Sequence, residues 1–485
     1  MKSQQAANHL LSALSALGVD RFFVAPGSRS QALTIAASKL EQSGRSKLIV
    51  RLDERSLGFT ALGSALARKK PAAIIVTSGT AVANLLPAVL EAFHSSTELI
   101  LLTADRPARL RGTGANQTLD QQAEIFGYAA KSINIPIDVA EAELEAAATE
   151  AVQTRGPVQL NIEFDLPLSD GKLPLPTLNL VANQNQESIR TLEVPVDDET
   201  IVIAGAGGAA ARDFADQANL PLIAEPSSGA RSGDKALQFP IAALEANRER
   251  IKRAIVFGKP TLSRAVQSLV SSVEVFTQSG HGYGDFNPHG SVTAFADQLI
   301  PVGCGSDENL ARYQRSVELD ERQEFVAKVW SLSNRLVIGA SDLIRQLDQV
   351  AKPKDLEVYS NRGLAGIDGT VSTGIGVALE RGETTLLIGD LTLLHDASGL
   401  NLSDLGSPQL RIIVGNDRGG HIFSRLEVAQ EISEEDLSRL FVTPQQVDMA
   451  ALAAAYGWEY RVCNSPAQLE ENWEITGPTL IEYLL

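Results

Sequence analysis

The sequence predicts an α/β fold of three doubly wound parallel-sheet domains. Short runs of apolar, often β-branched residues alternate with longer Ala- and Leu-rich segments of helical periodicity. Most short runs are continuously apolar, which is typical of strands buried on both faces of a parallel sheet. The alternation therefore predicts βαβ units, with helices covering both sides of each open sheet.

The first predicted domain covers residues 1–175. Its strands are expected at Val19–Ala25, Lys47–Arg51, Ala73–Thr77, Leu99–Ala104 and Val158–Phe164. Helical periodicity fills the stretches between them, as in Ser56–Arg68 and Ala140–Thr154. After Pro167 the chain becomes rich in Pro, Asn and Gln and loses its periodicity, which predicts a linker.

The second predicted domain, residues 195–305, is the smallest and begins with a strand at Thr200–Ala204. A charged segment, Ser306–Trp330, is expected to be a helical connector to the third domain, residues 330–485. Strands of that domain are expected at Leu356–Ser360, Thr385–Ile388, Leu410–Gly415 and Thr479–Leu484.

Composition and charge exclude several classes of protein. The chain has 485 residues, of which 44% are hydrophobic and 21% charged, as in globular proteins of several domains. Its net charge of −17 argues against binding to nucleic acid or to an anionic membrane, because phosphate recognition needs a basic surface. No apolar run approaches the roughly 18 residues of a membrane span, so a cytoplasmic protein is expected. Cys304 and Cys463 are too few for a disulfide framework or a thiolate zinc site.

Two strand-to-helix junctions of the first domain suit ligand binding. In VAPGSRS, residues 24–30, free backbone N–H groups favour an anion, and Arg29 adds a planar group suited to a carboxylate. The alternative is a plain turn with Ser28 as the helix N-cap. Glu54, in RLDERSLGF, lies at the second junction, where an acidic first helical turn is the simpler explanation.

Two further segments of this domain follow predicted strands. The small residues of TSGTAVANLLPAV, residues 77–89, permit either close backbone approach to a ligand or tight helix–sheet packing. The glycine-punctuated loop of residues 103–121 lies where open α/β sheets bind ligands, although a solvated surface loop is the alternative. Its polar residues, which suit a polyoxygenated acid, are Asp105, Arg106, Arg109, Arg111, Asn116 and Gln117.

In the third domain, carboxylates follow two consecutive predicted strands. Asp390 follows the strand of LLIGD, and Asn416 and Asp417 follow the strand of IIVGND. The two aspartates are 27 positions apart (417 − 390), a span that fits a strand–helix–strand crossover and brings their side chains to neighbouring strand ends. Such oxygen ligands suit Mg²⁺ on a diphosphate, which Gly419 and Gly420 would let the backbone approach.

The middle domain carries a glycine-rich motif of its own. Residues 205–210, GAGGAA, follow a predicted strand and fit G-x-G-x-x-A, and Glu225 lies where a ribose-binding acid would stand in a dinucleotide fold. The alternative is a glycine-rich helix start in a domain that serves as a spacer.

Taken together, these motifs resemble the thiamine-diphosphate enzymes and, among them, the 2-succinyl-5-enolpyruvyl-6-hydroxy-3-cyclohexene-1-carboxylate (SEPHCHC) synthases of menaquinone biosynthesis. The segments that carry the resemblance are PGSRS, DERSLGF, TSGTAVANLLPAV, TADRPARLRGTGANQ, SNRGLAGIDGTVST, GDLTLLHD and GGHIFSRL. They cover the first and third domains nearly end to end, whereas the middle domain matches far less clearly.

The resemblance implies a carboligase. It implies decarboxylation of 2-oxoglutarate and Stetter-like 1,4-addition of the succinic-semialdehyde carbanion equivalent to isochorismate, giving SEPHCHC and CO₂. The implied cofactors are thiamine diphosphate and Mg²⁺ or Mn²⁺. The implied assembly is a homodimer or a dimer of dimers, because in this superfamily the glutamate-bearing domain of one subunit faces the diphosphate-bearing domain of another. The alternatives are another thiamine-diphosphate-dependent 2-oxoacid decarboxylase or carboligase, and a non-catalytic nucleotide- or effector-binding protein built on the same domains.

By resemblance, Glu54 is the catalytic residue that hydrogen-bonds the cofactor pyrimidine, and Ile367 props the cofactor in its bent form. The metal ligands are Asp390, Asp417 and the Gly419 carbonyl. The cofactor-binding residues are Pro26, Glu54, Ser78, Thr80, Arg362, Ile367, Asp390, Leu391, Asp417, Gly419, Gly420, Ile422 and Phe423. The substrate-binding residues are Ser28, Arg29, Arg106, Asn116, Gln117, Arg264, Ser341, Arg345, Ile422, Phe423 and Leu426.

Three positions need comment against the pattern. Asp417 stands where the wider superfamily usually has Asn, and hard-cation coordination accepts the extra charge. Ala340 stands where relatives often have a polar residue. Arg264 lies in the poorly matched middle domain and has a second interpretation as a plain surface arginine.

Overall fold

The strands of this protein pair only in parallel wherever the structure describes them. The computed structural model describes residues 1–181, 189–278, 284–403 and 405–485, so residues 182–188 of the predicted linker lie outside it. Each predicted strand is present, with ends within two residues of those expected. The predicted α/β parallel-sheet class is confirmed.

The strands are β1 Arg21–Val24, β2 Lys47–Val50, β3 Ala72–Val76, β4 Leu99–Asp105, β5 Lys131–Ile135, β6 Val158–Glu163, β7 Thr191–Pro195, β8 Thr200–Ala204, β9 Leu222–Ala224, β10 Arg253–Phe257, β11 Glu274–Gln278, β12 Val292–Ala296, β13 Gln298–Val302, β14 Arg335–Ile338, β15 Glu357–Tyr359, β16 Thr384–Gly389, β17 Leu410–Asn416, β18 Glu459–Cys463 and β19 Thr479–Leu484. The α-helices are α1 Ser3–Ala16, α2 Gln31–Gln42, α3 Glu54–Arg68, α4 Thr80–Ala83, α5 Leu86–Ser95, α6 Glu141–Gln153, α7 Ala211–Ala218, α8 Pro240–Asn247, α9 Arg264–Val270, α10 Asp307–Ala311, α11 Glu321–Leu332, α12 Asp342–Val350, α13 Thr370–Arg381, α14 Asp390–His395, α15 Glu434–Leu437, α16 Met449–Ala455 and α17 Pro466–Glu471.

The chain divides into two compact units, and neither is one continuous segment. The first contains residues 1–186, 368–382 and 396–408, and the second contains residues 187–367, 383–395 and 409–485. The boundaries of the three predicted domains therefore stay a prediction.

The first unit is built on a sheet in the order β2-β1-β3-β4-β6-β5. Buried residues of α1, α2 and α6 cover one face, and those of α3 and α5 cover the other. The sheet is thus doubly wound, and β3 and β4 are buried along their whole length.

The second unit holds a sheet in the order β12-β11-β10-β8-β9, a two-stranded pair of β13 with β7, and a sheet in the order β15-β14-β16-β17-β19-β18. The predicted helical connector, Ser306–Trp330, contains two helices, α10 and α11, with non-helical residues between them. Asp320 begins the second helix as an N-cap, accepting from the backbone N–H of Gln323.

Two further observations concern the cysteines and the lengths of the apolar helices. Cys304 is exposed, Cys463 is buried, and both are free thiols. None of the described helices has the length and apolar character that crossing a bilayer requires.

Helix α3 crosses α13 within the first unit at unusually short range. A Cβ on Gly63 would lie 2.2 Å from the carbonyl oxygen of Thr373, and a Cβ on Gly376 would lie 2.1 Å from that of Thr60. Both clashes are with backbone, which a rotamer change cannot relieve. The two glycines therefore permit this contact, and α3 carries Glu54 as its first residue.

We expect Gly376→Ala to lower the free energy of unfolding by about 1–3 kcal/mol or more, because overpacking at a backbone contact forces the helices apart. Gly171→Ala is the matched control, since nothing lies within 4 Å of a Cβ there. Urea unfolding followed by circular dichroism measures both. Equal midpoints for the two variants would contradict the close-crossing account.

Candidate active site

The ends of β16 and β17 form one wall of a cavity in the second unit. The two strands pair in register from Thr384 with Leu410 to Gly389 with Gly415, so Asp390 and Asp417 follow neighbouring strand ends. The cavity has a volume of about 290 Å³. The predicted site residues that line it are Ser341, Ile367, Asp390, Leu391, Asp417, Gly419, Gly420, Ile422, Phe423 and Leu426.

Asp390 is an unusual carboxylate because it is 2% exposed and has a second carboxylate nearby. Burial raises its pKa to about 6, and the negative charge of Asp417 contributes to the shift. Backbone N–H groups of Leu391 and Gly419 donate to the carboxylate and act in the opposite direction. A divalent cation would relieve the repulsion between the two carboxylates, so this pair fits such an ion.

The turn after β17 is held by a side-chain network. Asn416 donates to Glu482 and accepts from the backbone N–H of Arg418 at 2.9 Å, and the Tyr460 hydroxyl donates to the same Glu482 carboxylate. Arg418 has a φ of 62° and Gly419 a φ of 146°. A Cβ on Gly419 would lie 2.6 Å from the Val442 carbonyl oxygen, so glycine is required there.

Glu54 begins α3 in the first unit. Asp53 is the N-cap, and its carboxylate accepts from the backbone N–H groups of Arg55 and Ser56. Glu54 is half-buried, and its Oε2 accepts a long 3.5 Å hydrogen bond from the side-chain amide of Asn84. The sequence features of an acidic helix start are thus present, and the carboxylate also keeps an accessible face.

Arg106 ties the polar loop of residues 103–121 to the end of β3. It is 8% exposed, and its Nη1 donates to the Ser78 hydroxyl and, at 2.6 Å, to the carbonyl oxygen of Gln117. The Gln117 amide donates back to the Ser78 carbonyl oxygen at 2.9 Å. The predicted polar residues Ser78, Arg106 and Gln117 therefore form one cluster, with Asn116 exposed beside it.

Arg29 lies in the electrostatic reach of Arg106. Burial and the positive charge of Arg106 lower the Arg29 pKa, and Arg29 donates to the Phe164 carbonyl oxygen at 3.0 Å. Two like charges held near each other favour an anion between or beside them. Pro26 and Ser28 are exposed on the same segment, and the N-cap of α2 is Ser30, so the alternative that Ser28 caps this helix is wrong.

Comparison with known proteins decides the family. Residues 4–124 match the family model described as thiamine pyrophosphate enzyme, N-terminal TPP binding domain. The SEPHCHC synthase of Leifsonia xyli subsp. xyli is 39% identical over 95% of this chain and 92% of its own length. That of Kineococcus radiotolerans is 39% identical over 94% and 90%, and that of Renibacterium salmoninarum is 37% identical over 99% and 94%. The chain belongs to the SEPHCHC synthase family.

A solved structure shares the fold of this SEPHCHC synthase family member. Benzoylformate decarboxylase from Polynucleobacter necessarius matches with a TM-score of 0.71 at 15% identity, and the match covers 100% of this chain and 99% of that one. At that identity the likeness concerns the fold alone.

Four polar residues that line the cavity were missed by the sequence analysis of this family member: Arg322, Asp342, Thr392 and His421. Arg322 comes from α11, the second half of the connector, where no local motif marks it. Asp342 follows the predicted Ser341 directly and begins α12, so an acidic helix start was its only signal.

Three predicted arginines of the second unit lie outside the cavity lining. Arg345 donates to the Ser341 carbonyl oxygen at 2.6 Å. Arg264 pairs with Glu427 at 2.5 Å, and both side chains are largely exposed, at 78% and 67%. Arg362 is buried and donates to the Thr261 hydroxyl. Their roles toward cofactor and substrate stay predictions.

Two glycines of the glycine-rich motif, residues 205–210, lie directly against other backbone atoms of the chain. A Cβ on Gly205 would lie 1.9 Å from the backbone nitrogen of Pro260, and one on Gly208 would lie 2.4 Å from the Phe257 carbonyl oxygen. Glu225 is buried and accepts from the backbone N–H groups of Thr261 and Leu262 at 2.5 and 2.7 Å. These contacts favour the packing interpretation over a dinucleotide site.

Glu225 gives this SEPHCHC synthase family member a testable dependence of stability on pH. Burial, reinforced by the charge of Asp348, raises its pKa above the ordinary 4.5. The folded chain then retains a proton that the unfolded chain releases, so the free energy of unfolding falls as the pH rises above that ordinary value. Glu225→Gln keeps an acceptor oxygen and cannot lose a proton. We expect its stability relative to the unaltered chain to increase between about pH 5.5 and about pH 7.5.

Urea unfolding at the two pH values measures this change. Parallel pH dependences for the variant and the unaltered chain would show that Glu225 is ionised in both states.

Proposed function

We propose that this chain catalyses the reaction of its family, the thiamine-diphosphate-dependent decarboxylation of 2-oxoglutarate and 1,4-addition of the four-carbon product to isochorismate, giving SEPHCHC and CO₂ for menaquinone biosynthesis. The observation that carries the proposal is the match to SEPHCHC synthases over nearly the full length of both chains. The carboxylate pair at the strand ends and the Glu54 helix start supply the groups such a reaction needs.

Asp390, Asp417 and the Gly419 carbonyl would hold Mg²⁺ or Mn²⁺ against the diphosphate. Among the described residues, no three His, Cys, Asp or Glu side chains form a group that would bind a metal alone. Two carboxylates and a carbonyl are an incomplete set of hard oxygen ligands, which phosphate oxygens would complete. When bound, thiamine diphosphate supplies the nucleophilic carbon and accepts the electron pair left by CO₂ loss.

Glu54 would accept a hydrogen bond from the pyrimidine and hold the protonation state of that ring. Ile422, Phe423 and Leu426, which line the cavity, would exclude water from the reacting atoms. The cluster of Arg29, Arg106 and Gln117 would bind substrate carboxylates. Arg109 and Arg111 already pair with carboxylates, Arg109 with Asp165 and Arg111 with Asp105 and Glu163.

The alternative is another thiamine-diphosphate-dependent 2-oxoacid decarboxylase or carboligase. The solved decarboxylase shares the fold at 15% identity, far below the 37–39% of the SEPHCHC synthases. The synthase is therefore favoured. A cytoplasmic location stays a prediction of the sequence.

The direct test is the loss of isochorismate absorbance with 2-oxoglutarate, with and without thiamine diphosphate and Mg²⁺. We expect loss only when every component is present. If isochorismate is not lost but the cofactor raises the thermal stability, the substrate assignment is overturned. The chain would then be another thiamine-diphosphate-dependent carboligase. No response to the cofactor would overturn the cofactor as well.

Glu54→Gln should lower kcat by at least about 10²-fold, because it removes the carboxylate that acts on the cofactor pyrimidine. Glu141→Gln is a matched control, since Glu141 is likewise the first residue of a helix in the same unit and suffers the same loss of charge near the helix dipole. The control should retain nearly full activity. If Glu54→Gln also retains most of its turnover, the role given to Glu54 is wrong.

A homodimer that shares its sites predicts complementation between inactive variants. Glu54→Gln and Asp390→Asn would each be inactive alone, whereas mixed dimers would contain one intact site of two. After unfolding and refolding the two together, we expect activity to return to about a quarter of that of the unaltered enzyme. Sedimentation of a fully active monomer would contradict the assembly.

A further inference from the structure

Arg322 contacts a proposed metal ligand from a part of the chain with no motif. It lies in the first turn of α11 and lines the cavity at the ends of β16 and β17. Its Nη1 lies 2.9 Å from Oδ2 of Asp417 and 3.1 Å from Oδ2 of Asp342. All three side chains are mostly buried, with exposures of 18%, 14% and 15%. These are the distances of charge-assisted hydrogen bonds.

The position of Arg322 is itself fixed by further contacts. Asp342 receives Nη1 of Arg425 at 3.2 Å and the side-chain amide of Gln346 at 3.1 Å, both on Oδ1. Its Oδ2 is thereby directed to Arg322. The result is an alternating chain of charges, Asp417–Arg322–Asp342–Arg425, of which the first three residues line the cavity.

The cavity wall would otherwise be strongly negative. Asp342, Asp390 and Asp417 all line it. Three carboxylates bind a cation readily but repel a diphosphate. The proposed function places a cation and a diphosphate together at this site. A cation fixed on Asp417 reduces the repulsion while it leaves the other oxygen of that carboxylate for a metal.

We propose that Arg322 is the fixed counter-ion of Asp417 and thereby sets the net charge of the metal and diphosphate site. This inference rests on the proposed function, which assigns Asp417 to the metal. Arg322 is a positioning residue, because it acts through Asp417. A plain surface ion pair would contribute little and would have no effect on the metal; the burial of Arg322 and its place in the cavity distinguish the two cases.

The test is a double-mutant cycle read out as Mn²⁺ affinity. Mn²⁺ is titrated by electron paramagnetic resonance at a fixed excess of thiamine diphosphate and without substrates. Asp417→Asn should weaken Mn²⁺ binding by at least about tenfold, since it removes a ligand charge that also offsets the positive charge of Arg322 beside the ion. Adding Arg322→Gln should restore most of the lost affinity, because the net charge of the site returns to its original value.

Arg425→Gln in the Asp417→Asn background is the matched control. It also removes an arginine from the alternating chain, but Arg425 touches Asp342 rather than Asp417. We expect it not to restore binding. Thermal unfolding of each variant verifies that it is folded.

The outcomes separate the inference from the proposed function. If the unaltered chain fails to bind Mn²⁺ with the cofactor, or Asp417→Asn binds as well as the unaltered chain, the metal assignment falls and the inference with it. If Asp417→Asn weakens binding and Arg322→Gln restores nothing, the metal assignment stands and the inference is overturned. Equal restoration by Arg425→Gln would also overturn it.

Discussion

The site depends on the parallel pairing of β16 with β17. Six successive residue pairs align these strands, the last of them Gly389 with Gly415, so both strands end at the same edge of the sheet. A shift by one residue would turn one strand over relative to the other and send the following aspartates to opposite sides. The register is secured by buried apolar residues on both strands, including Leu387 and Ile413. The positions of Asp390 and Asp417 therefore depend on the hydrophobic core formed by the strands that precede them in the chain.

Strand pairing alone does not direct the carboxylates. Asp390 is oriented by backbone N–H groups, one of them from Gly419 on the other loop, so the two strand ends are linked directly. The Gly419 conformation is fixed by the Val442 carbonyl, which also accepts from the Gly420 backbone N–H at 2.7 Å. Tyr460, Glu482 and Asn416 then brace the turn from the edge of the sheet. These hydrogen bonds connect the two loops to each other and to the sheet, so the site is preorganised.

Features of the fold and the site that depend on local sequence could be predicted, whereas contacts between residues far apart in the chain could not. Central strands such as β4 and β17 were predictable because burial on both faces leaves a continuous apolar run. Two edge strands, β5 and β18, were not predicted, because they are partly exposed and their sequences carry polar residues, although the edge strands β2 and β15 were. Asp390 and Asp417 were predictable because each follows its strand directly. Arg322 was not, because its contact spans 95 residues (417 − 322) and depends on how α11 packs.

The arginines show why net charge is a poor guide to a site. The chain carries −17, yet the proposed substrates are acids. Arg109 and Arg111 lie in the same loop as Arg106 but pair with carboxylates, which leaves them little capacity for another anion. The Arg106 guanidinium instead donates to a hydroxyl and a carbonyl, which are neutral. The proposed anion-binding cluster is therefore the one whose arginine has neutral partners. The opposite is proposed for the metal site, where Arg322 has carboxylate partners and its charge would offset theirs.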